Sequence, residues 1–332
     1  MQSKLALLPL PRRAGLAVLV AASLALLSAA PARAAYPDKP VRIVVPYSAG
    51  GGTDTFARLV GIELARELGQ PVVIDNRPGA SGLLGGAAVA QSPPDGYTLL
   101  VDQSSIATNA LLYARPPYDV TRDLAPVSLG ATLDNVLLVN PNLPARNVSE
   151  RLRLAKAQPG RLNYASTGIG TPQHLAMEVL KADSGTDIVH VPYKGGNPGI
   201  VALSADEVQM FFISVSTAMP FVKAGKVRAL ASGGTKRSPL LPDVPTVAES
   251  GLPGFQATGW LAFFAPAGTP AAVVGRINAA LAKALATPAL VQGLRQQGFE
   301  PASGTPEALS ALVKHDMELY GPVIRKGNIK VE

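Results

Sequence analysis

Residues 41–68, VRIVVPYSAGGGTDTFARLVGIELAREL, pass from an apolar strand through three consecutive glycines into a helix, and few folds accept that order. Val41, Ile43, Val44 and Val45 form a short β-branched run closed by Pro46, the pattern of a strand buried on both faces of a parallel sheet. Gly50, Gly51 and Gly52 allow a sharp turn and leave their N–H groups open to a ligand. Thr53 or Asp54 is the expected N-cap of a helix whose apolar positions Phe56, Leu59, Val60, Leu64 and Leu68 recur at helical spacing. Unpaired amides at such an N-terminus, aligned with the positive end of the helix dipole, attract a carboxylate or phosphate. A βα turn that needs glycine for geometry alone is the other reading of the same residues.

The first 34 residues read as a secretory signal peptide: Lys4, Arg12 and Arg13, an apolar or small run over 14–30, then the small-x-small site Ala32-Arg33-Ala34, with cleavage before Ala35. That run is short and alanine-rich for a bilayer span of ~20 residues. Cleavage would remove four basic residues and no acid, lowering the formal charge from +7 to +3 and leaving 298 residues. Much of the basic character is therefore the signal's, and without basic runs or interleaved aromatics the rest carries no nucleic-acid footprint. Its length predicts about two domains. The chain has no cysteine, so neither a disulfide nor a lipid-modified cysteine is available, which suits export to an oxidising compartment.

Further along, 71–75 reads as a second strand and 81–91 as a helix whose many small residues suit close packing. Residues 97–101 form a third strand ending in the polar loop Asp102-Gln103-Ser104-Ser105. A second unit begins near Ala131, with strands over 136–139, 162–165, 188–191, 208–212 and 227–231 and a helix near 149–158. Within it, Ser166 to His174 (STGIGTPQH) repeats the opening device: a glycine loop, Thr171 placed to cap, and Pro172 in the first helical turn. Strands alternating with helices imply parallel sheets, whose ligands bind at loops on the carboxyl ends of the strands. Those loops include Ser104, 166–174, Tyr193-Lys194-Gly195 and Ser214. Thr246-x-x-Glu249 is a capping box for a short helix stopped by Gly251, and 259–265 (GWLAFFA) reads as the return to the first domain. Helices from Pro270, after Pro288 and over 305–320 then cover that first sheet.

No catalytic set accompanies these loops. The three histidines are His174, His190 and His315, and without cysteine a structural zinc site is not expected. His315 sits among charges, His190 interrupts an apolar strand, and His174 alone stands in a glycine loop, where a binding or loop-fixing role competes with simple helix capping. There is no G-x-S-x-G elbow, no G-x-x-x-x-G-K-[ST] loop and no H-E-x-x-H. No metal and no cofactor is therefore expected, and the protein is not expected to be an enzyme.

The motifs PYSAGGGTD (46–54), NRPGASG (76–82), PDGYTLL (94–100), GIGTPQH (168–174), VPYKGG (191–196), LPDVPTVAESGLPGF (241–255) and APAGTP (265–270) together resemble the Bug-type receptors, the substrate-binding proteins of tripartite tricarboxylate transporters. The resemblance spans essentially the whole mature chain. It implies an α/β periplasmic binding protein fold of type II, a Venus flytrap of two doubly wound domains joined by two crossover strands. The domains would be 35–131 with 256–332, and 132–255. It further implies capture of a small organic acid, held by amides, hydroxyls and waters, and delivery to membrane transporter subunits. Carried over by position, Ser48, Ala49, Gly51, Gly52, Thr53 and Asp54 form one wall of the cleft; Gly168, Gly170, Thr171 and His174 form the other, with Tyr193, Lys194 and Gly195 beside them, while Ser104 and Ser214 are candidates from their strand-end loops alone. Ile213 stands where the family usually has an acid, which disfavours amino-acid ligands, and Ser204-Ala205-Asp206-Glu207 replaces the usual glycine hairpin. A monomer is expected. The alternatives are a ligand-sensing adaptor for a membrane kinase and an exported hydrolase or isomerase using His174 and Asp54.

Overall fold

A computed structural model describes residues 36–330 except Lys194; the signal-peptide expectation lies outside the described residues. The opening βα unit forms as β1 (Val41–Val45) and α1 (Gly52–Leu68), which buries Phe56, Ala57, Val60, Leu64 and Leu68 against the sheet. Gly69, left-handed at φ 71°, ends α1 by donating its N–H to the Ala65 carbonyl. β2 (Val72–Asn76) and β3 (Thr98–Gln103) lie parallel to β1 on either side. Between them α2 (Leu83–Ala90) packs so closely that a methyl on Gly86 would fall 2.3 Å from the Tyr118 hydroxyl. Its small residues serve packing.

The first sheet is mixed rather than parallel. β4 (Leu124–Leu133), β10 (Gly259–Pro266) and β11 (Glu300–Pro301) complete the order β11-β4-β10-β3-β1-β2, with β10 antiparallel to both β3 and β4. β10 arrives from the second sheet, so it enters at the end where β3 leaves. The second sheet, also mixed, has the order β7-β6-β8-β5-β9, built from β5 (Asn135–Val139), β6 (Asn163–Ser166), β7 (Val189–Pro192), β8 (Met210–Ser214) and β9 (Arg228–Ser232). The chain crosses between sheets at Asp134 and again through Ala257 and Thr258. Asn135 ties the two passages together, its side-chain amide donating to the Ala257 carbonyl at 3.1 Å.

Helices α3 (Ser105–Leu112), α4 (Val148–Ala157), α5 (Pro172–Ser184), α6 (Gly196–Ser204) and α7 (Val215–Lys223) follow strands or crossings, and α8 (Ala271–Leu285) and α9 (Pro288–Gln296) follow β10. The capping box at Thr246 and Glu249 makes both reciprocal bonds, at 2.7 and 3.0 Å, yet closes only a turn, because Thr246 is also paired to Ser232 beside β9.

The C-terminal helix α10 (Pro306–Lys326) runs past the expected stop at Tyr320. Leu309 and Val313 join a buried cluster with Val44, Leu100, Trp260 and Phe264, whereas Tyr320 and Ile324 join a different one with Leu137, Tyr164 and Leu180. The helix therefore straps both sheets instead of covering one. Each side chain so buried is worth roughly 1.5–3 kcal/mol.

Candidate functional site

Between the two sheets lies a cleft of about 540 Å³. β3 reaches it through Gln103 and Ser104, the crossings through Asn135 and Trp260, the loop after β6 through Thr167, and three helices of the second sheet through Gln173, Asn197 and Thr217. Four helices begin at this cleft: α5, capped by the Thr171 side chain with Pro172 and Gln173 in its first turn, and α3, α6 and α7, with Ser104, Gly195 and Ser214 at their N-cap positions. None of the sixteen described lining residues carries a formal charge. Four positive dipole ends and several hydroxyl and amide donors thus face the cleft, which suits a carboxylate. A smaller cavity of about 110 Å³, bounded by Tyr47, Ser105, Gly170 and Thr171, adjoins it and shares Gln103 and Pro172.

Of the residues expected at the site, Ser104, Gly195 and Ser214 line the main cleft, and Gly170 and Thr171 line the annex. Ser48, Ala49, Gly51 and Gly52 are exposed on the first glycine loop and line neither cavity, and neither does buried Thr53. Tyr193 packs against the apolar cluster around Phe211. Lys194 is outside the described residues.

Two of the expected contacts are engaged within their own loops. Gly51, not Thr53 or Asp54, is the N-cap of α1. Asp54, in the third helical position and 2% exposed, accepts hydrogen bonds from the Gly50 amide at 2.8 Å, Arg58 at 2.9 Å and Asn76 at 2.9 Å. The Arg58 bond above all holds its carboxyl down at about 2. His174 stands at the same position of α5 and is 4% exposed, its Nδ1 accepting the Gly170 amide at 2.9 Å. The Gly168 amide is likewise taken, by the Ser166 hydroxyl at 3.0 Å. The amides of Gly168 and Gly170 are thus spent inside the loop rather than left open to a ligand.

The His174 ring stacks on His190 at 3.9 Å and 12°, and His190 contacts the Ser166 hydroxyl through Nε2 at 2.6 Å. Burial pushes His174 down to about 3 and His190 down to about 4, so both rings are neutral at pH 7, and the Gly170 bond puts the His174 proton on Nε2. Gln103, Asn135, Thr167, Gln173, Asn197, Thr217 and Trp260 were not singled out from sequence. Gln103 adjoins Ser104 and ends β3, so strand-end position alone would have found it, whereas Gln173 adjoins His174 in the first turn of α5, within the rim loop expected from sequence. Among the described residues no group of three or more acids and histidines could hold a metal ion, and no helix is long and apolar enough to cross a membrane.

Residues 56–329 match the model of the tripartite tricarboxylate transporter family receptor. The chain belongs to that family. Receptors of this family bind solutes and are not enzymes. The chain is 36% identical over 299 residues to Protein BugT of Bordetella pertussis, a match covering 90% of this chain and 92% of that protein. Among solved structures it is similar to R. palustris Rpa4515 with adipate, with a TM-score of 0.77 and 35% identity over 89% of this chain and 99% of that one. It is also similar to MatC from Rhodopseudomonas palustris with bound malate, with a TM-score of 0.72 and 34% identity over 87% of this chain and 100% of that one. The fold of this family receptor is thus that of periplasmic solute-binding proteins.

Proposed function

We propose that this receptor is exported by a cleaved signal peptide, captures a small dicarboxylate in the periplasm and hands it to the membrane subunits of a tripartite tricarboxylate transporter. The observation that carries the reading is the convergence of four helix N-termini on a cleft without a charged side chain among its described lining. Relatives with adipate and with malate support the ligand class. Two lobes, 35–131 with 256–332 and 132–255, close about Asp134 and the Ala257–Thr258 crossing, the hinge motion by which periplasmic binding proteins trap ligands. On closure the exposed loop of Ser48, Ala49, Gly51 and Gly52, with the first-turn amides of α1, comes down over the acid from the opposite side to Thr171, Gln173 and Gly195. Calorimetry and thermal shift against mono-, di- and tricarboxylates and aromatic acids test the capture step. Binding of at least one short dicarboxylate is expected, and silence across the panel refutes the reading.

A further inference from the structure

Asp102 lies near the end of β3, one residue before the pair through which that strand reaches the cleft. Its side chain is 0% exposed. Oδ1 accepts the Tyr47 hydroxyl at 2.8 Å and the Gln103 amide at 2.7 Å. Oδ2 is buried with no hydrogen-bond partner among the described residues. The titratable groups that face it are Tyr47, from the turn after β1, and Tyr118, from the segment after α3; burial raises both phenols, so neither brings a charge. From α3 comes Ser105, whose hydroxyl is 3.1 Å from that of Tyr47, and from the α2 side Gly82, where a methyl would lie 3.5 Å from Oδ2. Among the described residues no cation is paired with this carboxylate, and one of its oxygens, if ionised, would go unsolvated.

We propose that Asp102 is a proton-linked positioning residue of the cleft: capture of a carboxylate is accompanied by transfer of one proton from solvent to Oδ2 of Asp102. The inference rests on the anion-capture reading above. An anion arriving next to Gln103 and Ser104 adds negative charge beside a buried acid and favours its neutral form. The proton enters from the annex, which Tyr47 and Ser105 both line, and forms an O–H bond on Oδ2. Of the two negative charges a dicarboxylate brings, the one held beside Gln103 and Ser104 is offset by the charge lost from Asp102 behind them, while Oδ1 keeps its hold on the Gln103 amide. Burial has already pushed Asp102 up to about 7 in the free protein, which places the exchange near neutral pH. The stacked histidines, at about 3 and about 4, stay silent in that window.

The test is calorimetry of the mature protein with adipate and with malate as probes at about pH 8, in buffers of different ionisation enthalpy. Both acids are fully ionised there. The wild type is expected to take up most of one proton per acid bound and to lose affinity by up to about tenfold per pH unit above neutrality. Asp102→Asn, which keeps an uncharged group in place, is expected to take up none and to bind with a flat pH profile. Uptake absent from the wild type, or unchanged in Asp102→Asn, overturns the proposal. Should that variant fail to fold, Tyr47→Phe removes a donor to the ionised form and is expected to move the uptake midpoint to higher pH; an unmoved midpoint overturns it. If neither acid binds, the wider panel above decides the receptor reading, and the carboxyl carbon of Asp102, followed by NMR in the free protein, decides the inference. Titration near neutrality supports it, and titration in the ordinary carboxylate range overturns it.

Discussion

The histidine stack makes a quantitative claim about acid stability. In an unfolded chain each histidine titrates near ~6.5, whereas in the fold burial holds His174 at about 3 and His190 at about 4. Below ~6.5 the unfolded chain therefore binds protons that the native state refuses, and stability falls as pH falls, until the native values are reached. Between about pH 7 and about pH 5 each ring costs roughly 2 kcal/mol, or about 4 together. Asp102 works in the opposite sense. Its native value of about 7 lies above the ordinary carboxylate, so acidification over the same range returns roughly 2 kcal/mol. The wild type should accordingly lose only about 2 kcal/mol net from these three groups.

His174→Asn isolates one term. Its Oδ1 stands where Nδ1 accepts the Gly170 amide at 2.9 Å, and it cannot be protonated. Losing the 3.9 Å stack on His190 lowers stability at every pH. That offset cancels when each protein is compared with itself at two pH values. Urea unfolding of both proteins at about pH 7 and about pH 5 should show the variant losing about 2 kcal/mol less on acidification. Parallel pH profiles for the two proteins would show that His174 does not enter the native state uncharged, and the reasoning would be wrong.

Three further outcomes are expected. Gly170→Val should destabilise by roughly 2–4 kcal/mol and abolish binding, since its Cβ would lie 2.4 Å from Leu112 Cδ1 at φ +73°, whereas Gly51→Val, whose Cβ meets only the Ser48 carbonyl at 3.3 Å, should keep its melting temperature and still lose the ligand. Gln173→Glu places a carboxylate among the helix N-termini and should weaken dicarboxylate binding at least about 100-fold by calorimetry, with little change in melting temperature. Trp260 is the single tryptophan, lines the cleft and donates to Asp316 at 2.8 Å; its fluorescence should change on ligand capture, and Trp260→Phe should cost about 1–3 kcal/mol by leaving that buried carboxyl unpaired.

Strands such as β1 and β5 were legible because a continuous apolar run admits few readings, but the same feature hid their company. All eight residues of β10 are buried, so no face distinguishes an antiparallel neighbour from a parallel one. The helices missed from sequence, α3, α6 and α7, are eight or nine residues long and begin in serine or glycine loops. Isolated helices of that length have little stability of their own, and packing alone forms them. Their N-termini supply three of the four that meet in the cleft, so the part of the site hardest to read was the part on which the proposal of anion capture rests.

What the sequence did reveal, a device shared by two glycine loops, acts differently from what glycine alone suggests. In each loop a positive-φ glycine, Gly50 at 80° and Gly170 at 73°, precedes the N-cap, and the side chain four residues on reaches back to accept its amide. In α1 that acceptor is Asp54, in α5 it is His174. The motif fixes the entry angle of each helix, so its first turn is aimed before any ligand arrives, which lowers the ordering cost of binding. The two acceptors differ in acid. Asp54 stays ionised down to about 2, whereas protonation of His174 at about 3 would turn Nδ1 from acceptor to donor against the Gly170 amide. Acid should therefore release the second loop while the first still holds, and hydrogen exchange should register it at Gly170 before Gly50.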